Sequence, residues 1–369
     1  MKVLVTGSDG FIGKNLLAHL NRLDAIHIDI FTRSDSLESL AEKVTNADFI
    51  FHLAGVNRPK DEQEFLQGNR DLTQEIVNIA TSNKVNPAIL MSSSIQAECD
   101  NPYGHSKRAA EKILEKYSEE TGAICYLYRL ANVFGKWSRP NYNTVIATWC
   151  HNITHDIPIQ VNEIETELSL VYIDDVVDGF IRHLDDNRNS GVIYPDIFPL
   201  YQKSLGEIHE LLLSFHESRS NLVVSKVGKG FERALYATYL SFLSEDNFSY
   251  ALKGYEDERG TFYEFIKTLE NGQVSISTTA PGITRGNHYH HTKNEKFLVI
   301  KGKASIKLRQ IHGDKVIEYQ VSDQKMEVVE MIPGYTHDIT NTGDSDMVLL
   351  LWANELFDRQ KPDTYFLEV

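Results

Sequence analysis

Tyr103 and Lys107 stand four residues apart in Tyr103-Gly104-His105-Ser106-Lys107, at the start of a stretch with helical spacing. Residues at that separation share a helix face, so the ammonium belongs beside the phenol. A neighbouring cation favours the phenolate and lowers a tyrosine pKa from about 10, the shift a general acid–base needs near neutrality. Just upstream, Met91-Ser92-Ser93-Ser94 ends a predicted strand, and a strand-end serine holds a substrate oxygen against such a tyrosine.

A second set of residues is suited to binding phosphate. Thr6-Gly7-Ser8-Asp9-Gly10-Phe11-Ile12-Gly13 follows the first predicted strand and opens a helix. Gly7 makes the tight turn, Gly10 lets backbone N–H groups approach a pyrophosphate, and Gly13 lets the helix pack closely with its positive end toward the phosphates. Asp48-Phe49-Ile50-Phe51-His52-Leu53-Ala54-Gly55 is a buried strand ending in small residues, which suits a chain passing under a bound cofactor. The second strand ends Asp29-Ile30-Phe31-Thr32-Arg33. An acidic residue there holds a ribose 2′-hydroxyl and an arginine a 2′-phosphate, so Arg33 favours NADPH.

A third set is suited to binding a metal. Gly282, His288, His290, Glu295 and Gly302 follow the spacing G-x5-H-x-H-x4-E-x6-G, and His337 comes later in Pro333-Gly334-Tyr335-Thr336-His337. Strand alternation puts His288 and His290 on one face, with Tyr289 and His291 on the other. Three imidazoles and a carboxylate make a nitrogen–oxygen site for zinc or another divalent first-row metal.

These sets need two different scaffolds. Up to about residue 244, apolar runs alternate with helical stretches: Val3–Val5, Ile26–Phe31, Phe49–Leu53, Ala88–Met91 and Ala123–Tyr128 against Ile12–Leu20, Asn69–Ala80 and Ser106–Glu120. That alternation predicts a doubly wound α/β domain around a parallel sheet over 1–244. From 245 to 369 short runs rich in branched and aromatic residues are separated by Gly, Pro and Asn turns, which predicts an all-β sandwich or barrel. The 369 residues suffice for two cores. Lys plus Arg number 37 and Asp plus Glu 52, a net charge of −15 that repels nucleic acid and anionic membrane surfaces. No apolar stretch approaches the ~20 residues that span a bilayer, and the glycine-rich amino terminus is unlike a secretory signal. Cys99, Cys125 and Cys150 are too scattered for a disulfide framework. The expectation is a cytoplasmic protein.

Residues 1 to about 240 resemble an extended short-chain dehydrogenase/reductase acting on nucleotide-linked sugars. The resemblance rests on Thr6–Gly13, Asp48–Ala54, Asn69, Ser92–Ser94, Tyr103–Lys107, Arg129–Gly135 and Leu170–Val177. It implies that Tyr103 is the proton donor, that Lys107 tunes it and grips the nicotinamide ribose, and that Ser94 aligns the carbonyl. Gly7, Gly10, Phe11, Ile12, Gly13, Arg33, Leu53, Ala54 and Asn69 would join Lys107 in holding the cofactor. Only eight residues lie between Ser94 and Tyr103, fewer than this class usually shows, so Ser92 and Ser93 stay open beside Ser94. Residues 245–369 resemble a cupin, a jelly-roll barrel. Its first motif is complete, and its second lacks the early glycine in Glu327-Val328-Val329-Glu330-Met331-Ile332-Pro333.

The two together resemble the reductase–cupin fusions of capsular polysaccharide synthesis in the UDP-N-acetyl-L-fucosamine route. That implies a UDP-linked 4-keto-6-deoxy-hexosamine substrate, epimerised at C3 by the cupin and reduced at C4 with NADPH to a UDP-N-acetyl-6-deoxy-L-talosamine. Reductases of this class commonly form homodimers. Three other readings stay open: an NAD-retaining 4-epimerase, a cupin that epimerises without metal, and a cupin that only binds or dimerises.

Overall fold

The computed structural model describes residues 1–59, 61–186 and 190–369. The chain divides into two compact units, Met1–Leu212 with Gly228–Ser244, and Leu213–Val227 with Glu245–Val369. A single cut after Ser244 therefore misplaces one segment. Residues 213–227 go with the second unit because Val223 bridges Lys267 and the Val224 N–H donates to the Lys267 carbonyl at 2.8 Å.

The first unit begins β1 (Lys2–Thr6), α1 (Phe11–Leu20), β2 (His27–Phe31), α2 (Leu37–Asn46) and β3 (Phe49–His52). A short α3 (Gln63–Phe65) runs through a π-helical turn, Leu66–Asp71, into α4 (Leu72–Ser82). Then come β4 (Ala88–Ser94), α5 (Pro102–Thr121), β5 (Ile124–Leu130), β6 (Asn132–Phe134), α6 (Val145–Thr154), β7 (Glu167–Tyr172), α7 (Ile173–Ile181), β8 (Gly191–Ile193), β9 (Tyr201–Ser204), α8 (Leu205–Asn221), which from Leu213 onward belongs to the second unit, and α9 (Gly230–Leu240). The main sheet is parallel, in the order β2-β1-β3-β4-β5-β8, and β6-β7-β9 form a small second sheet. Strands buried on both faces read as continuous apolar runs, hence Val3-Leu4-Val5. On one side Leu4, Ile50, Ile89 and Leu127 pack with Leu40, Ile76, Leu114 and Tyr117 from α2, α4 and α5. On the other, Phe51 and Tyr128 meet Phe180 of α7 at ring distances of 6.5 and 4.8 Å.

Strand order reverses at β1, whose neighbours β2 and β3 follow it on opposite sides. The carboxyl ends of strands at such a reversal form a ligand crevice, and Gly7 and Leu53 sit there.

The second unit is antiparallel throughout its named strands. Its first sheet runs β10 (Gly254–Asp257), β11 (Gly260–Thr268), β12 (Gly272–Thr279), β19 (Met347–Ala353), β14 (Glu295–Lys301), β17 (Val328–Met331). Its second runs β16 (Val316–Ser322), β15 (Lys303–Gln310), β18 (Tyr335–Asn341), β13 (Thr284–Tyr289), β20 (Tyr365–Phe366). Phe297, Val299 and Leu349 from the first interleave with Ile306, Leu308 and Ile339 from the second to form the core. Among the described residues no helix is long and apolar enough to cross a membrane.

Candidate active site and metal centre

β1 ends by turning at Gly7, with φ +71°. A Cβ there would lie 2.6 Å from the Ala54 nitrogen, and one on Gly13 would lie 2.3 Å from the Gly7 carbonyl oxygen. The turn therefore runs against Leu53–Ala54 and α1 packs directly on the turn. Gly10 is the N-cap of α1, so Phe11, Ile12 and Gly13 carry backbone N–H groups that a helix leaves without intrahelical acceptors. That cradle fits a dinucleotide pyrophosphate.

Beneath it runs a buried polar chain. Ala54 N–H donates to Thr6 Oγ at 3.2 Å, Thr6 Oγ lies 2.8 Å from His52 Nδ1, and His52 Nε2 lies 2.9 Å from Thr73 Oγ. Thr73 spends its own proton on the Asn69 carbonyl at 2.7 Å, so His52 Nε2 must be the donor and Nδ1 the acceptor. Burial, with a smaller repulsion from Lys107, pushes His52 down to about 3, so it stays neutral.

Asn69 is buried in the π-helical turn. Its Nδ2 donates to the Val56 carbonyl and to Ser106 Oγ, both at 2.9 Å, and its Oδ1 accepts from Val56 N–H at 2.9 Å. Asn69 thus fixes the loop at Val56, aimed there by the π-turn. Arg33 lies two residues beyond β2, exposed, with no ion pair among the described residues.

The pleat of β4 separates the three serines. Ser93 is buried and donates to Glu111 Oε1 at 2.6 Å, on the side of α5 and β5. Ser92 gives its carbonyl to Lys107 Nζ at 2.9 Å. Ser94 is only partly buried, accepts from Gln96 N–H at 3.2 Å, and hydrogen-bonds toward Tyr103. Asn101 caps α5 by accepting from Gly104 N–H at 2.8 Å, so Tyr103 and Lys107 occupy the first turns as their spacing predicts.

The tyrosine's expected acidity is corrected. Burial holds the Tyr103 phenol above its ordinary value, outweighing the lowering contribution of Ser94. Lys107 Nζ stands 6.0 Å from the ring centroid, directed at the Ser92 carbonyl rather than the hydroxyl. Burial also pushes Lys107 down to about 8, against the raising influence of Glu111. Sequence reasoning passed over Glu111, although it sits four residues after Lys107 on the same helix face. Fully buried, it accepts from Ser93, from Arg108 Nη1 at 2.7 Å, and from Arg129 Nε and Nη2 at 3.0 and 2.7 Å.

In the second unit His288, His290, Glu295 and His337 converge, each offering a ligand atom, with all four atoms within 4.8 Å of one another. β13 pairs His288 with His337 across a bulge between Gly286 and His288, which aims His288 inward. The expected alternation holds past the strand end: Tyr289 and His291 meet on the opposite face, at a ring distance of 5.5 Å. His290 Nε2 and both His337 ring nitrogens are buried without hydrogen-bond partners. Such orphaned atoms beside a carboxylate form a set that could hold a divalent metal. Burial and the His288 charge push His337 down to about 3. Burial would raise Glu295, but His290, Lys293 and His337 outweigh it and hold the carboxyl at about 2. A neutral His337 and an ionised Glu295 are the forms that bind metal. A cavity of about 580 Å³, lined by Tyr255, Phe262, Lys293, Phe357 and Arg359 among others, reaches Glu295.

Known proteins match both units. Residues 3–194 match the NAD dependent epimerase/dehydratase family and residues 255–365 the polysaccharide biosynthesis C-terminal domain. A UDP-2-acetamido-2,6-beta-L-arabino-hexul-4-ose reductase of Pseudomonas aeruginosa is 53% identical over 369 residues, covering 100% of this chain and 99% of its own. The crystal structure of the capsular polysaccharide assembling protein CapF from Staphylococcus aureus superposes with TM-score 0.93 at 48% identity, covering 100% of both chains. A UDP-glucuronic acid 4-epimerase from Bacillus cereus, 19% identical with TM-score 0.55 over 66% of this chain, shares the fold of the first unit.

Proposed function

The chain belongs to the NAD dependent epimerase/dehydratase family, with a polysaccharide biosynthesis C-terminal domain attached, and on that premise we propose a two-step conversion of a UDP-linked 4-keto-6-deoxy-hexosamine. The second unit inverts C3 and the first reduces C4 to the UDP-N-acetyl-6-deoxy-L-talosamine. One observation carries the reading: Ser94, Tyr103 and Lys107 stand together at the carboxyl end of β4, in a chain 53% identical to a UDP-ketosugar reductase.

The Gly7–Gly13 cradle would hold NADPH with Arg33 at its 2′-phosphate, and the bound cofactor would supply the hydride for C4. Ser94 Oγ–H donates to the carbonyl oxygen and orients it. As the C=O π pair moves onto oxygen, Tyr103 Oη–H transfers its proton there, giving the neutral alcohol. Lys107, fixed by the Ser92 carbonyl, keeps a positive charge beside the phenolate left behind. Asn69 and His52 act through position, holding Val56 and Ala54 where the cofactor passes.

In the second unit the C3 proton is acidic because it neighbours the C4 ketone. A zinc ion held by His288, His290, Glu295 and His337 would supply Lewis acidity to the charge that gathers on O4 when C3 loses its proton. We further propose that the enzyme works in the cytoplasm as a homodimer; light scattering at the mass of two chains checks the second point.

The test is Tyr103→Phe. We expect NADPH oxidation to fall about 10²- to 10⁴-fold while solvent deuterium still enters C3. Near-parental NADPH oxidation would remove Tyr103 from its role. Conversion with no net NADPH consumption in the parent would favour a retained-coenzyme 4-epimerase.

A further inference from the structure

The carboxy-terminal segment crosses the metal-ligand cluster, and one residue of it makes five polar contacts there. The Asp363 carbonyl lies 2.6 Å from His290 Nδ1. A carbonyl only accepts, so Nδ1 carries the proton and the lone pair of the neutral ring sits on Nε2. That Nε2 is buried without a hydrogen-bond partner, 3.6 Å from Glu295 Oε2. The Asp363 carboxylate holds the next turn. Its Oδ1 accepts from His291 N–H at 3.0 Å, and its Oδ2 from Thr292 N–H and Lys293 N–H, both at 2.8 Å, and from Thr292 Oγ1 at 3.1 Å. Asp363 does this at φ +38°, in the left-handed region that costs a residue with a Cβ unless its surroundings enforce it.

The rest of the segment is anchored independently. Tyr365 and Phe366 pair with Tyr289 and His288, Leu367 N–H donates to the Asn287 carbonyl at 3.0 Å, and Arg309 Nη2 donates to the Glu368 carbonyl at 2.6 Å. The strap therefore does not depend on Asp363 to stay in place, whereas the rotamer and tautomer of His290 depend on where Asp363 sits.

We propose that Asp363 is the positioning residue of the metal centre: its carbonyl selects the Nε2-ligating tautomer of His290, and its carboxylate locks Glu295's approach turn, 291–293, to that carbonyl. The inference rests on the metal reading of the four-ligand cluster. Partners of this kind typically contribute 10- to 100-fold to metal affinity.

The experiment uses the full chain, stripped of metal and titrated with Zn²⁺ against a chromophoric chelator, and with Co²⁺ read by its visible absorption. Asp363→Ala should weaken Zn²⁺ binding 10- to 100-fold and change the Co²⁺ bands, while the metal-free protein melts within a few degrees of the parent. Asp363→Asn keeps one acceptor oxygen and should fall between the two; it carries the test if the alanine variant does not fold. Asp358→Ala, in the same segment but with a carboxylate that accepts only from the Gln360 N–H at 2.8 Å among the contacts described, should match the parent. Folded Asp363 variants that bind Zn²⁺ within twofold of the parent, with unchanged Co²⁺ bands, would overturn the proposal. A parent chain that binds neither metal would instead remove the metal reading beneath it.

Discussion

Ser93 and Ser94 are adjacent and chemically identical, yet their contacts demand opposite consequences when each is changed to alanine. Ser93 Oγ donates to a fully buried carboxylate at 2.6 Å, one of four hydrogen bonds that Glu111 accepts from Ser93, Arg108 and Arg129. Hydrogen bonds to charged groups are worth about 1.5–3 kcal/mol, and the alanine leaves that lone pair unsatisfied in the interior. In a domain of this size each kcal/mol moves Tm by roughly 2–4 °C, so Ser93→Ala should melt about 3–12 °C lower. Its kcat at a temperature where it is folded should stay within about threefold of the parent. Ser94 is partly exposed and its contacts are the Gln96 N–H of a short turn and the Tyr103 phenol, neither of them charged, so Ser94→Ala should cost no more than about 1 kcal/mol of stability. In the proposed mechanism its loss removes a donor to the developing oxyanion, which typically lowers kcat by about 10²–10³. The assays are a thermal melt and NADPH oxidation with the ketosugar. The reverse pattern, with Ser93→Ala inactive but stable, would refute the assignment drawn from the pleat of β4.

Other consequences can be checked as directly. The proposed pairing of Arg33 with the 2′-phosphate predicts that Arg33→Ala raises KM for NADPH about 10-fold, the lower end for one charge-assisted contact, with KM for NADH nearly unchanged; equal effects would remove Arg33 from the 2′-phosphate. Burial lowers Lys107 to about 8, so the free protein carries that ammonium below pH 8 and loses it above. kcat/KM for NADPH should accordingly be flat at lower pH and fall as pH rises through about 8, and a flat profile to pH 10 would show that the charge is not used. His290→Ala should stop deuterium entry at C3 while sparing reduction of the already epimerised ketosugar. Loss of both activities in a folded variant would contradict separate sites.

The fold was legible where the sequence carries a period. Residues such as Val3-Leu4-Val5 and Phe49-Ile50-Phe51 are buried on both faces and read as uninterrupted apolar runs, and the reductase motifs fall at the strand ends that those runs define. In the second unit β13 and β18 were less visible as strands. They hold polar inward residues, His288 and His337, and β13 is interrupted by a bulge at Asn287, so the apolar alternation fails where the ligands sit. What stayed hidden was long-range or environmental. Asp363 lies 73 residues from His290, and no local pattern announces that contact. Asn69 matched its motif, but the direction of its side chain came from a π-turn that breaks helical spacing. Spacing also put Lys107 beside Tyr103 correctly while giving the wrong sign for the phenol, because adjacency says nothing about burial.

The most direct measurement of the central claim supplies the 4-keto sugar nucleotide to the metal-loaded parent in D₂O, with and without NADPH, and follows both products by NMR. Without NADPH, deuterium should enter C3 and a second ketosugar should accumulate with no change at C4. With NADPH, one equivalent should be oxidised for each C3-deuterated alcohol formed. Reduction at C4 with hydrogen retained at C3 would contradict the two-step account and leave the second unit without its proposed chemistry.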